Sequence, residues 1–544
     1  MTAVDASPAT PLPPQVREVA NQAPPLRPVN LFTSDAALHE GVIREGAAWD
    51  VAHLTTLGAL AGSEESWQHS RRAERNTPTL VTHDAYGNRV DAVELDPSWH
   101  HLLGTAIRHG MHSLPWTGPA GSHVARAARF VMWHQVNSGV MCPVSMTAAV
   151  VPALRAAAPH LAAKWEPRLT LTDPAGVALS GMAMTERQGG SDVRANSTRA
   201  IPVGDDRYAI WGHKWFCSYP PCDIFLVLAQ APEGLSCFLV ERGPGMEFQR
   251  LKDKLGSRSL PSSEVEFHGI EGRLVGEVGR GVPAIIQMVN QTRMDCIIGT
   301  TSSLRHGVLQ AVHHTRHRSA FGAPLADQPA MRNVLADLHV ESEAATAAML
   351  RLARACDSAD ADLTEGAFRR LGIAVMKYWI CKRAGAHAAE ALECLGGNGY
   401  VEDSGMPLLY RDSILSGIWE GSGNVAALDV LRAMGREPTT VQAFLAECHL
   451  ADGGDTRLDA HLQTLDATMT GLARQDSSEA LEYGARRVVE DMAVALQASL
   501  LVRHAPAAVA DAFCAARLGD RGRVYGTLPP GLDTRAIIDR ALLA

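Results

Sequence analysis

Two stretches of this chain carry residues whose types and spacing suit chemistry. In IWEGSGNVAALDVLR, a carboxylate, Glu420, stands between Trp419 and Gly421. Gly421, Ser422, Gly423 and Asn424 offer turn residues and an N-cap, and Val425, Leu428, Val430 and Leu431 an apolar face. Glu420 is therefore expected on the loop just before a helix. Read locally, it is a surface acid that favours the positive end of that helix. In GMAMTERQGGSDVRANSTRA, the adjacent Gly189 and Gly190 lie among Thr185, Ser191 and Asp192. Such a loop either turns the chain or lets backbone amides and hydroxyls approach a large polar ligand closely. It is not a Walker loop, because no GK[ST] follows the glycines, and not a dinucleotide fingerprint, because no GxGxxG opens a helix.

The elements that must hold these loops follow from the texture of the chain. At 544 residues it exceeds one ordinary core and reads as several domains. A hydrophobic content of 46% and a charged content of 20% place it among soluble, helix-rich globular proteins. A net charge of −9 argues against a broadly basic nucleic-acid binder. The ten cysteines are scattered singly with no CxxC pair, which suggests neither a metal site nor a disulfide framework and fits a reducing cytoplasm. No secretory signal is recognisable, and no apolar run reaches the ~18 residues expected of a membrane-spanning helix.

Residues 1–30, with seven prolines, read as an extended N-terminal arm that lies across a partner subunit or stays mobile. Residues 31–180 are expected to be a helical domain, with Val124, Ala127, Ala128 and Met132 at helical spacing. Between 181 and 280, runs such as DRYAIWGHKWF and SCFLVERG predict an inserted β domain. Long apolar stripes return over 281–440 as a helical bundle. Residues 441–544 form a helical extension, clearest where Val489, Met492, Leu496 and Leu500 share a face.

Within the glycine loop, the order Ala183, Met184, Thr185, Glu186, Gly189, Gly190, Ser191, Asp192, Ala195 resembles the first signature of the flavin-dependent acyl-CoA dehydrogenases. The resemblance implies an α+β, mainly α fold: an N-terminal helical domain, a middle β-barrel domain and a C-terminal helical bundle, here with an extra C-terminal helical domain. It also implies FAD, with Met184, Thr185, Gly190 and Ser191 as flavin contacts. GHKWFCS matches the family's K-x-W-I-T strand, with Phe216, Cys217 and Ser218 at the last three positions. There an aromatic packs on the flavin and a hydroxyl reaches its N5 edge. RHRSAFG resembles R-x-x-F-G, so Arg318 would meet the FAD pyrophosphate across a subunit boundary, its planar fork suiting phosphate oxygens. ECLGGNGYVED matches a second signature through Gly396, Gly397 and Gly399, and departs from it at Glu393 and Leu408. The family is usually tetrameric, which implies a homotetramer.

In many members W/Y-E-G-T/S carries the catalytic base. The resemblance thus makes Glu420 the group that removes the α-proton of an acyl thioester while the flavin takes the β-hydride. Other members place their base just before an arginine one helix earlier; that position is Thr292, which is no carboxylate. A carboxylate lodged among Trp419, apolar groups and flavin loses solvation and gains basicity. Trp419, Ser422 and Asn424 share the loop and would line the FAD side. Arg293 matches an arginine near the thioester end of the substrate site, or makes a buried ion pair. Arg258 supports substrate or closes the β domain.

The chain length and the WEGSGN, EGAAWD, ARAARF and CPVSMT segments look like the family's AidB type, flavoproteins of the bacterial adaptive response to DNA alkylation. That branch implies double-stranded DNA as an alternative partner, with little acyl-CoA turnover. Yet residues 441–544 hold ten Arg, no Lys and fourteen Asp plus Glu, a net of −4, whereas duplex binding relies on cations. Arg517, Arg521 and Arg523 are either a local DNA-binding patch or a solvated face. A third reading keeps FAD as a structural cofactor only.

Overall fold

The computed structural model describes residues 20–472, 474–475, 477–519 and 522–542. Its first domain is built by α1 (Ala36–Arg44), α2 (Val51–Ala61), α3 (Glu64–Arg75), α4 (Pro97–Arg108), α5 (Leu114–Thr117), α6 (Ser122–Val136), α7 (Met141–Ala157) and α8 (Pro159–Leu169). Helices α6 and α7 are buried on nearly every face, which is why both read as apolar and Ala-rich. The charges they do bury are paired: Arg126 grips Asp295 at 2.6 and 2.8 Å, and Arg129 grips Asp50. The helical reading of this domain misses a hairpin, β1 (Thr79–His83) and β2 (Arg89–Glu94). Its turn is closed by Asp84, whose Oδ1 accepts the amides of Tyr86 and Asn88.

Seven strands follow: β3 (Ser180–Ala183), β4 (Arg199–Gly204), β5 (Arg207–Ser218), β6 (Ile224–Ala231), β7 (Gly234–Glu241), β8 (Met246–Leu251) and β9 (Ser262–Val275). They lie in the order β3-β6-β4-β5-β9-β7, and an extra β6–β7 pairing closes the sheet into a barrel, with β8 added beside β9. Strands β6 and β7 are buried almost throughout, which accounts for their unbroken apolar runs.

The bundle comprises α9 (Gly281–His317), α10 (Pro329–Ser358), α11 (Leu363–Glu393), α12 (Met406–Ser413) and α13 (Gly423–Arg436). Proline at the first turn starts α10, and Asp362 caps α11 by accepting the amides of Thr364 and Glu365. Helix α9 is central, packed against α6, α7, α10 and α11. The extension adds α14 (Pro438–His449), α15 (Thr456–Leu472), α16 (Ser478–His504), α17 (Ala507–Arg517) and α18 (Thr534–Ala541). Val489, Met492, Leu496 and Leu500 of α16 are buried where that helix meets α10, α11, α13 and α14.

Among the described residues no helix is long and apolar enough to cross a membrane. Residues 21–24 lie along this same chain: Asn21 binds Ser319, Gln22 meets Asn398, and the Pro24 carbonyl meets His313.

Candidate active site

Glu420 stands ahead of α13, with Ser422 as its N-cap residue. Its backbone lies in the left-handed region at φ +55, an uncommon conformation for a residue with a Cβ. Two buried cations hold it there. Lys377 of α11 donates to the carbonyls of Trp419, at 3.0 Å, and of Gly421. Arg293 of α9 donates through Nε to the carbonyl of Glu420 at 3.0 Å. Three successive carbonyls of one loop are thus each taken by a charged donor, leaving the Glu420 side chain to point its own way.

That side chain accepts a 2.7 Å hydrogen bond at Oε2 from the Thr292 hydroxyl. Burial pushes the Glu420 carboxyl above the usual carboxylate range, against the opposing pull of the Thr292 hydrogen bond, Arg293 and Lys377. Of the two readings of Arg293, the structure displays the ion pair: Nη1 lies 2.7 Å from Asp429, and both side chains are buried. Asp429 is shared with Arg370 and Arg432. Cys142 of α7 is an electrostatic neighbour of Glu420 and is hydrogen-bonded to Ser218; burial pushes its thiol up to about 12, so it stays neutral.

The glycine loop sits beside the end of β5. The Trp215 amide donates to the Thr185 carbonyl at 2.8 Å, and Asn196 Nδ2 to the Met184 carbonyl at 2.9 Å. At Gly190 an added Cβ would come within 2.6 Å of Thr185 Oγ1, so only glycine lets the loop close this tightly. Ser191 is exposed at its rim. Strand alternation sorts the next three residues. Phe216 is 46% exposed, Ser218 is half-buried, and the Cys217 side chain is fully buried on the opposite face. Only the backbone of Cys217 is therefore left to contact a ligand on the open face.

A buried pair anchors the loop from below, and reading the sequence for function overlooks it. Glu186 meets Lys214 at 2.8 Å and also accepts the amides of Ser197 and Thr198. Burial acts to raise the Glu186 carboxyl, but Lys214 and the hydrogen bonds outweigh it and hold the group at about 2. Burial lowers Lys214 to about 8 despite its partner.

The remaining candidates fall in four places. Trp419 is half-buried, and its indole N–H is buried without a partner among the described residues. The Ser422 hydroxyl makes no capping hydrogen bond, and Asn424 accepts from Arg486 Nε of α16 at 2.8 Å. Arg318 lies elsewhere: its Nη1 donates to the Asn21 carbonyl at 2.5 Å, and the exposed Gly396 and Gly397 adjoin Asn398, which meets Gln22. Arg258 pairs within its own turn with Asp253. Arg517 is turned inward onto Asp337 and Glu341, Arg523 is exposed, and Arg521 lies outside the described residues.

Three family models match this chain. Residues 21–173 match the adaptive response protein AidB N-terminal domain, 181–270 the acyl-CoA dehydrogenase middle domain, and 279–435 the acyl-CoA dehydrogenase C-terminal domain. The chain belongs to the acyl-CoA dehydrogenase family. Within it the similarity is to the AidB branch: AidB of Escherichia coli (strain K12) is 40% identical over 528 residues, covering 94% of this chain and 96% of the relative. A solved structure of Caenorhabditis elegans ACDH-11 in complex with C11-CoA aligns with a TM-score of 0.85 at 28% identity, over 91% of this chain and 92% of that one. A Bacillus anthracis acyl-CoA dehydrogenase complexed with FAD, 19% identical with a TM-score of 0.66 over 77% and 80% of the two chains, shares the fold.

The chain is an FAD-dependent, dehydrogenase-like oxidoreductase by family. The site suits that cofactor: an exposed aromatic and a hydroxyl on one face of β5, a tight glycine loop alongside, and, on the Glu420 loop, an indole N–H with no partner among the described residues.

Proposed function

We propose that the protein oxidises the CH–CH bond next to the carbonyl of an acyl-CoA thioester, with Glu420 as the base. The observation that carries this reading is the carboxylate itself: half-buried, raised in basicity by loss of solvation, fixed by Thr292, and set on a backbone held by Lys377 and Arg293. When bound, FAD supplies the acceptor for the β-hydride. Glu420 takes the α-proton. Phe216, Ser218, Met184, Thr185, Gly190, Ser191 and the free Trp419 indole N–H would hold the cofactor, while Arg293 acts behind the site as a positioning residue. The C. elegans relative, solved with C11-CoA, supports an acyl-CoA as the ligand class.

We infer a homotetramer in which Arg318, Gly396 and Gly397 serve the FAD of a neighbouring copy. Supporting this, Phe321 is 100% exposed three residues beyond Arg318, and Tyr400 is 84% exposed beside the glycines. The ten free thiols support a cytoplasmic setting. The reading as a duplex-binding protein gains less support. Arg517 is paired inside the molecule, and residues 441–544 carry a net charge of −4.

The test is an anaerobic titration with short, branched and long acyl-CoAs, following flavin absorbance. Wild-type protein is expected to bleach with one chain class, and Glu420→Gln to keep its FAD while bleaching roughly 10²–10⁴-fold more slowly. Equal bleaching by the variant removes Glu420 from the role. A flavin that dithionite reduces but no thioester touches leaves FAD as a structural cofactor.

A further inference from the structure

Thr292 occupies a position of contact with the base that its residue type alone does not explain. Its hydroxyl oxygen lies 2.7 Å from Glu420 Oε2 and 3.0 Å from the carbonyl of Val289 in its own helix. A threonine hydroxyl carries one hydrogen and so donates to one of these acceptors at a time. The bond to Val289 is the ordinary back-bond of a helical threonine. The shorter one reaches across to the carboxylate, and Thr292 itself is buried. Glu420 Oε1, by contrast, makes no hydrogen bond to any described residue.

We propose, resting on Glu420 as the base, that Thr292 is a positioning residue that sorts the two carboxylate oxygens, holding Oε2 and leaving Oε1 as the oxygen that accepts the substrate proton. A hydroxyl bonds a charged oxygen more strongly than a neutral carbonyl, so its hydrogen stays on Oε2 while Glu420 is ionised. Once the α-proton has arrived on Oε1, that preference weakens and the hydrogen is free to turn to Val289. The electron pair of the broken C–H bond stays with the substrate, and the Thr292 proton never leaves its own oxygen.

The other charged or titratable groups facing Glu420 are Arg293, Asp295 and Cys296 of α9, Lys377 of α11 and Cys142 of α7. Arg293 and Lys377 bind backbone carbonyls of the loop, Asp295 is held by Arg126, and the thiols of Cys142 and Cys296 are kept neutral by burial. Among the described residues, Thr292 alone ligates the carboxylate oxygens.

The experiment compares holoprotein carrying Thr292→Val, Thr292→Ser and Glu420→Gln. One readout is the pH dependence of single-turnover bleaching by the acyl-CoA that works on wild type. The other is the infrared carbonyl band of protonated Glu420 in the resting protein, identified as the band that Glu420→Gln lacks. Losing a bond that favours the charged form should move the titration and the acid limb of T292V to higher pH, and losing the aim should slow the plateau about tenfold with little change in KM. T292S should restore all three. An infrared titration of T292V that matches wild type overturns the proposal whether or not any thioester reacts, and so does failure of T292S to restore it. If Glu420→Gln still bleaches, the base assignment and this proposal fall together; if it does not and T292V behaves as wild type, this proposal falls alone.

Discussion

Burial makes Glu420 a stronger base and, for the same reason, lowers the stability of the folded state near neutral pH. Because its carboxyl is raised on folding, the folded chain binds the proton at a pH where the unfolded chain has released it. Stability is then fullest below the ordinary carboxylate range and declines as pH rises toward the raised value. Glu420→Gln removes this burden, so in urea unfolding the variant should exceed wild type at pH 8, with a gap that shrinks on acidification. A gap independent of pH would mean that the carboxyl is well solvated. The left-handed backbone adds strain on the order of 1 kcal/mol at the same residue. Glu186 behaves oppositely, since Lys214 and the amides around it hold its carboxyl low. Replacing it by Gln leaves Lys214 buried without its counter-charge, and the expected loss is about 3–5 kcal/mol. As Glu186 anchors the glycine loop, flavin retention on a desalting column should fall with it.

The bundle helices act on the Glu420 loop through their buried cations, and a variant of α11 isolates that action. Lys377→Met would strip the Trp419 and Gly421 carbonyls of their donor, at about 1–3 kcal/mol for each group left unsatisfied. Thioester-dependent bleaching should fall well before flavin binding does, measured side by side on the same preparation; equal loss of both would mean general unfolding of the loop. Reading the sequence found the loop and missed its support, for a physical reason. Turn residues and an N-cap are local signals, so WEGSGN announces that Glu420 precedes a helix. Lys377 lies 44 residues before Gly421, and a lysine in an apolar helix says nothing of the carbonyls it will reach. The β1–β2 hairpin carried its signal in Asp84 and Asn88, but the helices around it dominated the pattern. Matching a motif by position does not reveal that Cys217 turns its side chain inward, because the two-residue period of a strand decides which side chains reach the open face. The barrel and the long helices were legible because apolar runs and stripes persist over many residues.

At the scale of the whole molecule, the extension is fastened to the bundle by buried charges. Arg517 serves two carboxylates at once, Asp337 at 2.5 Å and Glu341 at 3.0 Å. Arg517→Ala should therefore lower unfolding stability by about 3–5 kcal/mol, while Arg523→Ala, on the surface, should leave it within about 0.5 kcal/mol. An arginine kept for duplex phosphates would give the reverse, with stability unchanged and salt-dependent affinity lost in fluorescence anisotropy. The extension also touches the Glu420 loop directly, through Arg486 of α16 and Asn424. Since α16 packs on α13 as well, the loop and α16 belong to one cooperative unit for local opening. In hydrogen–deuterium exchange, the amides of 419–424 should gain and lose protection together with those of α16, so that a perturbation far out in the extension is recorded at Glu420 as faster exchange.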